Sequence, residues 1–205
     1  MRIARSIALM LVLAGCGATM PNLDVYLENA TDPMGQVYED ESIAIRFISG
    51  RDHLAFDLQN KTNGAIKILW DEIVFEDAQG TRHHVCRSKA DFHQLDSPQK
   101  PTVVQPRSRI QERIIPKTHV IPCDDDPEHW QVTDMLVPAG ADAAETRRNA
   151  SEVIGKNCYL LLPLEVGGLR EPYRFSFKII AYVGPTGGGG AGIERTDVER
   201  PAVIK

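Results

Sequence analysis

The sequence predicts a mainly β protein: an antiparallel β-sandwich, immunoglobulin-like in arrangement, with one short helical insert. Three observations carry this. Apolar and polar residues alternate through "HLAFDLQN" and "YRFSFKIIAYV", the period of strands with one buried and one wet face. Turn signals at Asn63-Gly64, Ala78-Gln79-Gly80 and Gly167-Gly168 punctuate the apolar runs, as short antiparallel strands require. Helix caps flank a single segment. A partly open barrel is the second arrangement that this pattern allows.

The N-terminal segment is not part of that pattern. Arg2 and Arg5 precede an apolar run from Ile7 to Leu13, followed by the small residues Ala14 and Gly15. This is a signal peptide layout over residues 1–15. The run is too short for a permanent span, which needs about 20 apolar residues. Leu13-Ala14-Gly15-Cys16 resembles a bacterial lipobox. The resemblance implies cleavage before Cys16, a diacylglyceryl thioether on its sulfur and an acylated new amino group, so palmitate-type chains are the expected covalent lipid. No other cofactor is expected. Each buried methylene adds about 0.8 kcal/mol of membrane affinity, so two or three chains anchor the protein durably. Gly17 rather than aspartate follows the cysteine, which by the lipoprotein sorting rule implies the outer membrane, periplasmic face.

Residues 16–41 are expected to form the lipidated cysteine and a polar tether, with a short strand over Leu23 to Leu27. A sandwich domain is expected over 42–184. "SIAIRFIS" and "HLAFDLQN" open it; Leu54, Phe56 and Leu58 share one face. Asn63-Gly64 signals a tight turn into a run in which Ile66, Ile68 and Trp70 alternate. Ala78-Gln79-Gly80 then turns into "TRHHVCR", completing a three-strand meander. Pro98, Pro101 and Pro106 mark a long connection before the strand "SRIQERIIP".

"DAAETRRNASEVIGK" predicts a helix over about residues 143–154. Asp142 caps the orphan amides, Glu145 stands where a capping box puts its acid, and Gly155 supplies a left-handed stop. "NCYLLLPLEV" is apolar on both faces, as a central strand should be, and a hairpin at Gly167, Gly168 and Pro172 leads to "YRFSFKIIAYV". There Tyr173, Phe175, Phe177 and Ile179 share the core face. Four consecutive glycines make 185–205 an expected flexible tail.

"FDLQNKTNGAIKILWDEIVFEDAQGTRHHV", "PTVVQPRSRIQERIIP" and "LLLPLEVGGLREPYRFSFKI" together resemble a group of uncharacterised bacterial lipoproteins. The resemblance spans about residues 43–183. It implies a fold and a compartment, and no catalytic residue.

Removing residues 1–15 takes away two arginines and no acid, leaving 190 residues with 21 basic against 28 acidic side chains, a net charge of −7. An acidic domain argues against a nucleic-acid partner. Of the four cysteines, Cys86, Cys123 and Cys158 remain once Cys16 is assigned to lipid. An oxidising periplasm permits one disulfide among them, and three pairings are open; Cys86 with Cys123 is the one favoured.

Candidate chemistry is sparse. Alternation puts His84 and Cys86 on one strand face, and His93 could return from the following loop to complete a zinc or copper site. The competing reading is an edge strand with surface histidines and a buried or bridged cysteine, since the spacing matches no named zinc module. "CDDDPEHW" lacks the spacing of a calcium loop, so Asp124, Asp125 and Asp126 read as a solvated turn. Asp71 and Glu72 point to opposite faces of an extended chain and do not converge. No nucleophile elbow or phosphate loop is present. The expected role is therefore non-enzymatic: binding another envelope component, or a structural part in the envelope. Metal binding through His84, Cys86 and His93 is the alternative.

Overall fold

Alternation decides which residues face inward, and the computed structural model, which describes residues 22–32, 36–87, 95–123 and 126–182, realises it strand by strand. In β3 (Ile43–Ser49) the residues Ile43, Ile45 and Phe47 are buried, and in β4 (Leu54–Asn60) Leu54, Phe56 and Leu58 are. In β13 (Leu169–Tyr182) Tyr173, Phe175, Phe177 and Ile179 point into the core while Arg174 and Lys178 face out.

The remaining strands are β1 (Asn22–Leu27), β2 (Val37–Glu39), β5 (Ile66–Ile68), β6 (Val74–Glu76), β7 (Arg82–Cys86), β8 (Thr102–Val104), β9 (Arg109–Pro116), β10 (Val120–Cys123), β11 (Asp126–Val132) and β12 (Asn157–Val166). Among the described residues eleven of the thirteen strands join in the antiparallel order β1-β13-β12-β6-β7-β9-β4-β3-β2, with β5 beside β12 and β8 beside β5. The chain folds this path into two facing layers. β1, β13, β12 and the short strands β5 to β8 form one, and β9, β4, β3 and β2 form the other. They join along one side through only two residue pairs, Val85 with Pro116 and Cys86 with Ile115. The fold is thus a sandwich hydrogen-bonded along one edge.

Aromatic edges fill the space between the layers. Phe47 of β3 meets Phe175 at 4.8 Å and Phe177 at 5.0 Å between ring centroids, both edge to face, the arrangement favoured by ring quadrupoles. β10 and β11 pair separately, and Val120, Trp130 and Val132 cover Cys86 and Ile115 in a small second core.

The strand over 66–76 is broken. Ile68 pairs with Leu164 and Val74 with Leu161, so the five residues from Leu69 to Ile73 stand opposite only Leu162 and Pro163. The excess winds into a 3-10 turn at Trp70–Glu72. Proline has no N–H to offer a ladder, and Pro163 sits where the neighbouring strand departs, its carbonyl accepting from Leu69 N at 3.2 Å. The turn drops Trp70 into the core, 1 % exposed, with Nε1 donating to Thr102 Oγ1 at 2.8 Å.

Helix α1 (Ala143–Val153) begins as expected. Asp142 Oδ1 accepts from Ala144 N and Glu145 N, both at 2.8 Å. The Glu145 carboxylate reaches back to Ala141 N at 2.6 Å, one residue beyond a standard capping box. Gly140 is needed nearby, because a Cβ there would stand 2.5 Å from Thr146 N. Ala150 and Val153 pack α1 onto the sandwich.

Three expectations need correction. The strand expected over Leu23 to Leu27 forms as β1, but it belongs to the sandwich and not to a tether: β1 pairs with β13 over its full length, from Asn22 with Tyr182 to Leu27 with Phe177, and β2 pairs with β3. Asn63-Gly64 does not close a hairpin. Neither residue takes the left-handed backbone of a tight hairpin turn. β4 pairs instead with β3 and β9, and the connection crosses to the other layer, where β5 pairs with β8 and β12. Pro172 lies inside β13 opposite Pro163; Gly167 and Gly168, at φ 58° and 82°, make the turn alone.

Candidate functional site

β13 is the spine of the molecule. Its C-terminal end pairs with Asn22, so chain entry and exit share one end of the sandwich. Its other end begins at the Gly167-Gly168 turn, 14 residues away along the strand, which is roughly 40 Å at strand rise. There β13 and β2 line a cleft of about 330 Å³.

The floor is aromatic. Tyr173 and Phe175 reach it from alternate positions of β13, and Tyr38 of β2 meets them edge to face at 6.1 and 5.5 Å. Asp40 and Glu171 stand beside them, each accepting from a phenol: Tyr38 Oη donates to Asp40 Oδ2 at 3.3 Å and Tyr173 Oη to Glu171 Oε2 at 3.1 Å. Burial first, then the Asp40 and Glu171 charges, pushes the Tyr173 hydroxyl above its ordinary range. Burial and Asp40 act on Tyr38 in the same direction.

Asp40 is also built into the backbone, its Oδ1 accepting from Ser42 N and Ile43 N, both at 2.8 Å. The two arginines on the rim already have partners. Arg170 Nη2 lies 2.7 Å from Glu72 Oε1, and the Arg174 guanidinium lies 4.6 Å from the Tyr159 ring centroid. Nothing local in the sequence singles out this cleft. Its acids are 131 positions apart, and only the layering unites them.

A second polar cluster lies between β7 and the 3-10 turn at Lys117–His119. His83, 7 % exposed, is held at both ring nitrogens: Nε2 is 3.0 Å from Asp77 Oδ2 and Nδ1 is 2.7 Å from Thr118 Oγ1. A carboxylate can only accept, so in the neutral ring Nε2 carries the proton and Nδ1 accepts from Thr118. The order carboxylate, imidazole, hydroxyl is that of a proton relay. However, neither the 330 Å³ cleft nor a smaller one of about 90 Å³ beside Asp24 and Ser49 is lined by Thr118. The cluster ties the β6-β7 turn to the turn at 117–119. His119 packs edge to face on His83 at 5.3 Å, and burial followed by the His83 charge lowers its pKa.

The residues singled out from the sequence do not gather. His84 and Cys86 share a strand face, but His84 is exposed and Cys86 is sealed, 1 % exposed, under Ile115 and Val120. His93, the third ligand of the metal alternative, lies outside the described residues, as do Cys16, Asp124, Asp125 and the glycine tail. Among the described residues no three His, Cys, Asp or Glu side chains are grouped to hold a metal ion. Cys86 is a free thiol donating to Ile115 O at 3.5 Å, and Cys123, the other half of the favoured pairing, has its side chain outside the described residues. Cys158 is also free and buried. Asp71 and Glu72 diverge, Asp71 accepting from Gln99 N at 2.9 Å and Glu72 pairing with Arg170.

Comparison with family models, with curated proteins and with solved structures finds no match.

Proposed function

We propose that this chain is a lipid-anchored cell-envelope protein, held by Cys16 at the periplasmic face of the outer membrane. Its β-sandwich binds another envelope component through the cleft beside Glu171 and Tyr173, without catalysing a reaction. The observation that carries this reading is the placement of the cleft. β1 starts at Asn22 and pairs with the end of β13 opposite the cleft.

Supporting it are the Leu13-Ala14-Gly15-Cys16 box and the resemblance to bacterial lipoproteins. Five residues, Gly17 to Pro21, separate Cys16 from β1, a reach of at most about 20 Å, so a lipid on Cys16 keeps the domain near the bilayer. Thr118 lines neither cleft and the cleft carboxylates are engaged with phenols, which favours binding over turnover.

Processing and fractionation test the anchor. Globomycin is expected to leave the precursor uncleaved, and Cys16→Ala to release the domain from the membrane fraction. Unchanged processing and fractionation under both treatments would refute the anchored reading.

A further inference from the structure

We infer that the cleft between β2 and β13 takes an organic cation, the ammonium or guanidinium group of a lysine or arginine side chain on a protein partner. This rests on the binding role proposed above and names the chemistry of its ligand.

Acceptors outnumber donors in the cleft. Asp40 and Glu171 bring four carboxylate oxygens to the cleft. Two backbone N–H groups satisfy Asp40 Oδ1, and the phenols of Tyr38 and Tyr173 supply one proton each to Asp40 Oδ2 and Glu171 Oε2. The Tyr173 proton goes to Glu171 Oε2, and among the hydrogen bonds of the described residues none reaches Glu171 Oε1. The cleft is therefore short of donors. A cationic group with several N–H bonds supplies them in charge-assisted form.

The other features agree. The rings of Tyr38 and Tyr173 line the same space, and the faces of such rings attract organic cations. An anionic ligand would have to recruit Arg170 or Arg174, which are committed to Glu72 and to the Tyr159 ring, and would stand against two carboxylates. A volume of about 330 Å³ accommodates one side chain, at the small end of ligand sites.

The test titrates the full-length lipidated protein, in detergent micelles and with ring-labelled tyrosine, with N-acetyl-lysine methylamide and N-acetyl-arginine methylamide. Neutral N-acetylglucosamine and anionic N-acetyl-glutamate serve as comparators. The cationic probes are expected to shift the Tyr38 and Tyr173 ring signals and leave Tyr26 and Tyr159 in place. Glu171→Gln is expected to weaken this binding about tenfold, and Tyr38→Phe to weaken it less; the ring signals of each free variant show whether it is folded. Failure of both cations to shift Tyr38 and Tyr173, or equal shifts from the neutral or anionic probe, would overturn the inference. Anchoring is read separately at Cys16, so a lost anchor and an empty cleft give different results.

Discussion

The Asn60 side-chain amide donates to the Val104 carbonyl at 3.0 Å, joining the end of β4 in one layer to β8 in the other. Asn60 is fully buried and spends all of its capacity. Nδ2 also donates to Gly64 O at 2.7 Å and Gln105 O at 3.1 Å, while Oδ1 accepts from Thr62 N and Thr62 Oγ1. This amide holds the crossover that stands where a hairpin was expected.

Replacing Asn60 with leucine strands several buried polar groups at once, each costing about 1 to 3 kcal/mol. Asn60→Leu is expected to lower unfolding free energy by about 3 kcal/mol, measured by urea denaturation. Asn60→Asp should be no better, because a carboxylate cannot donate to Val104 O. A loss below about 1 kcal/mol would show that water or a shifted loop satisfies these groups.

Stability should fall on the acid side in two windows. Burial and the His83 charge lower the His119 pKa from 6.5, so the unfolded chain binds more protons there. Its contribution is complete above pH 6.5 and is lost as pH falls through the lowered value. For Asp77, burial opposes ionisation, but hydrogen bonds from His83, Thr81 and Gln79 outweigh it and hold the carboxyl below 3.8. That contribution is present above pH 3.8 and lost as pH falls through the lowered value. Thermal melts across pH should show both declines, and His119→Gln should remove only the upper one. An unchanged upper decline in that variant would assign it elsewhere.

Cys86 and Cys158 should resist alkylation in the native protein. Burial pushes their thiols up to about 11 and about 12 respectively, against the small opposing effect of Lys117 on Cys86. Thiolate is the reactive form, so iodoacetamide at neutral pH is expected to label both only after denaturation, read by peptide mass spectrometry. Rapid native labelling of either, or a Cys86–Cys123 bridge in non-reduced peptide maps, would contradict the buried free thiols.

Much of the layering was legible because alternation is a local signal. Leu54, Phe56 and Leu58, and likewise Tyr173, Phe175, Phe177 and Ile179, face the core as their spacing requires. Helix α1 announced itself through Asp142 and Glu145. Pairing partners were less legible, since alternation says which side is buried and not which strand lies alongside. Asn63-Gly64 misled for that reason: Asn63 Oδ1 accepts instead from Arg107 Nε and Nη2, at 3.2 and 3.0 Å, bracing the crossover. The strand over Leu23 to Leu27 was legible from the alternation of Leu23 and Leu27 with Asp24 and Tyr26, but its pairing with β13 was not, because the polar residues after Leu27 set it apart from the domain. The cleft was invisible, because Asp40 and Glu171 meet only after β2 and β13 are placed in opposite layers.

The central claim is tested most directly by mass spectrometry of the N-terminal peptide of the protein purified from membranes. The account predicts a chain beginning at Cys16, with a diacylglyceryl group on its sulfur and an acylated amino group. A chain beginning at any other residue, or an unmodified Cys16, would contradict it.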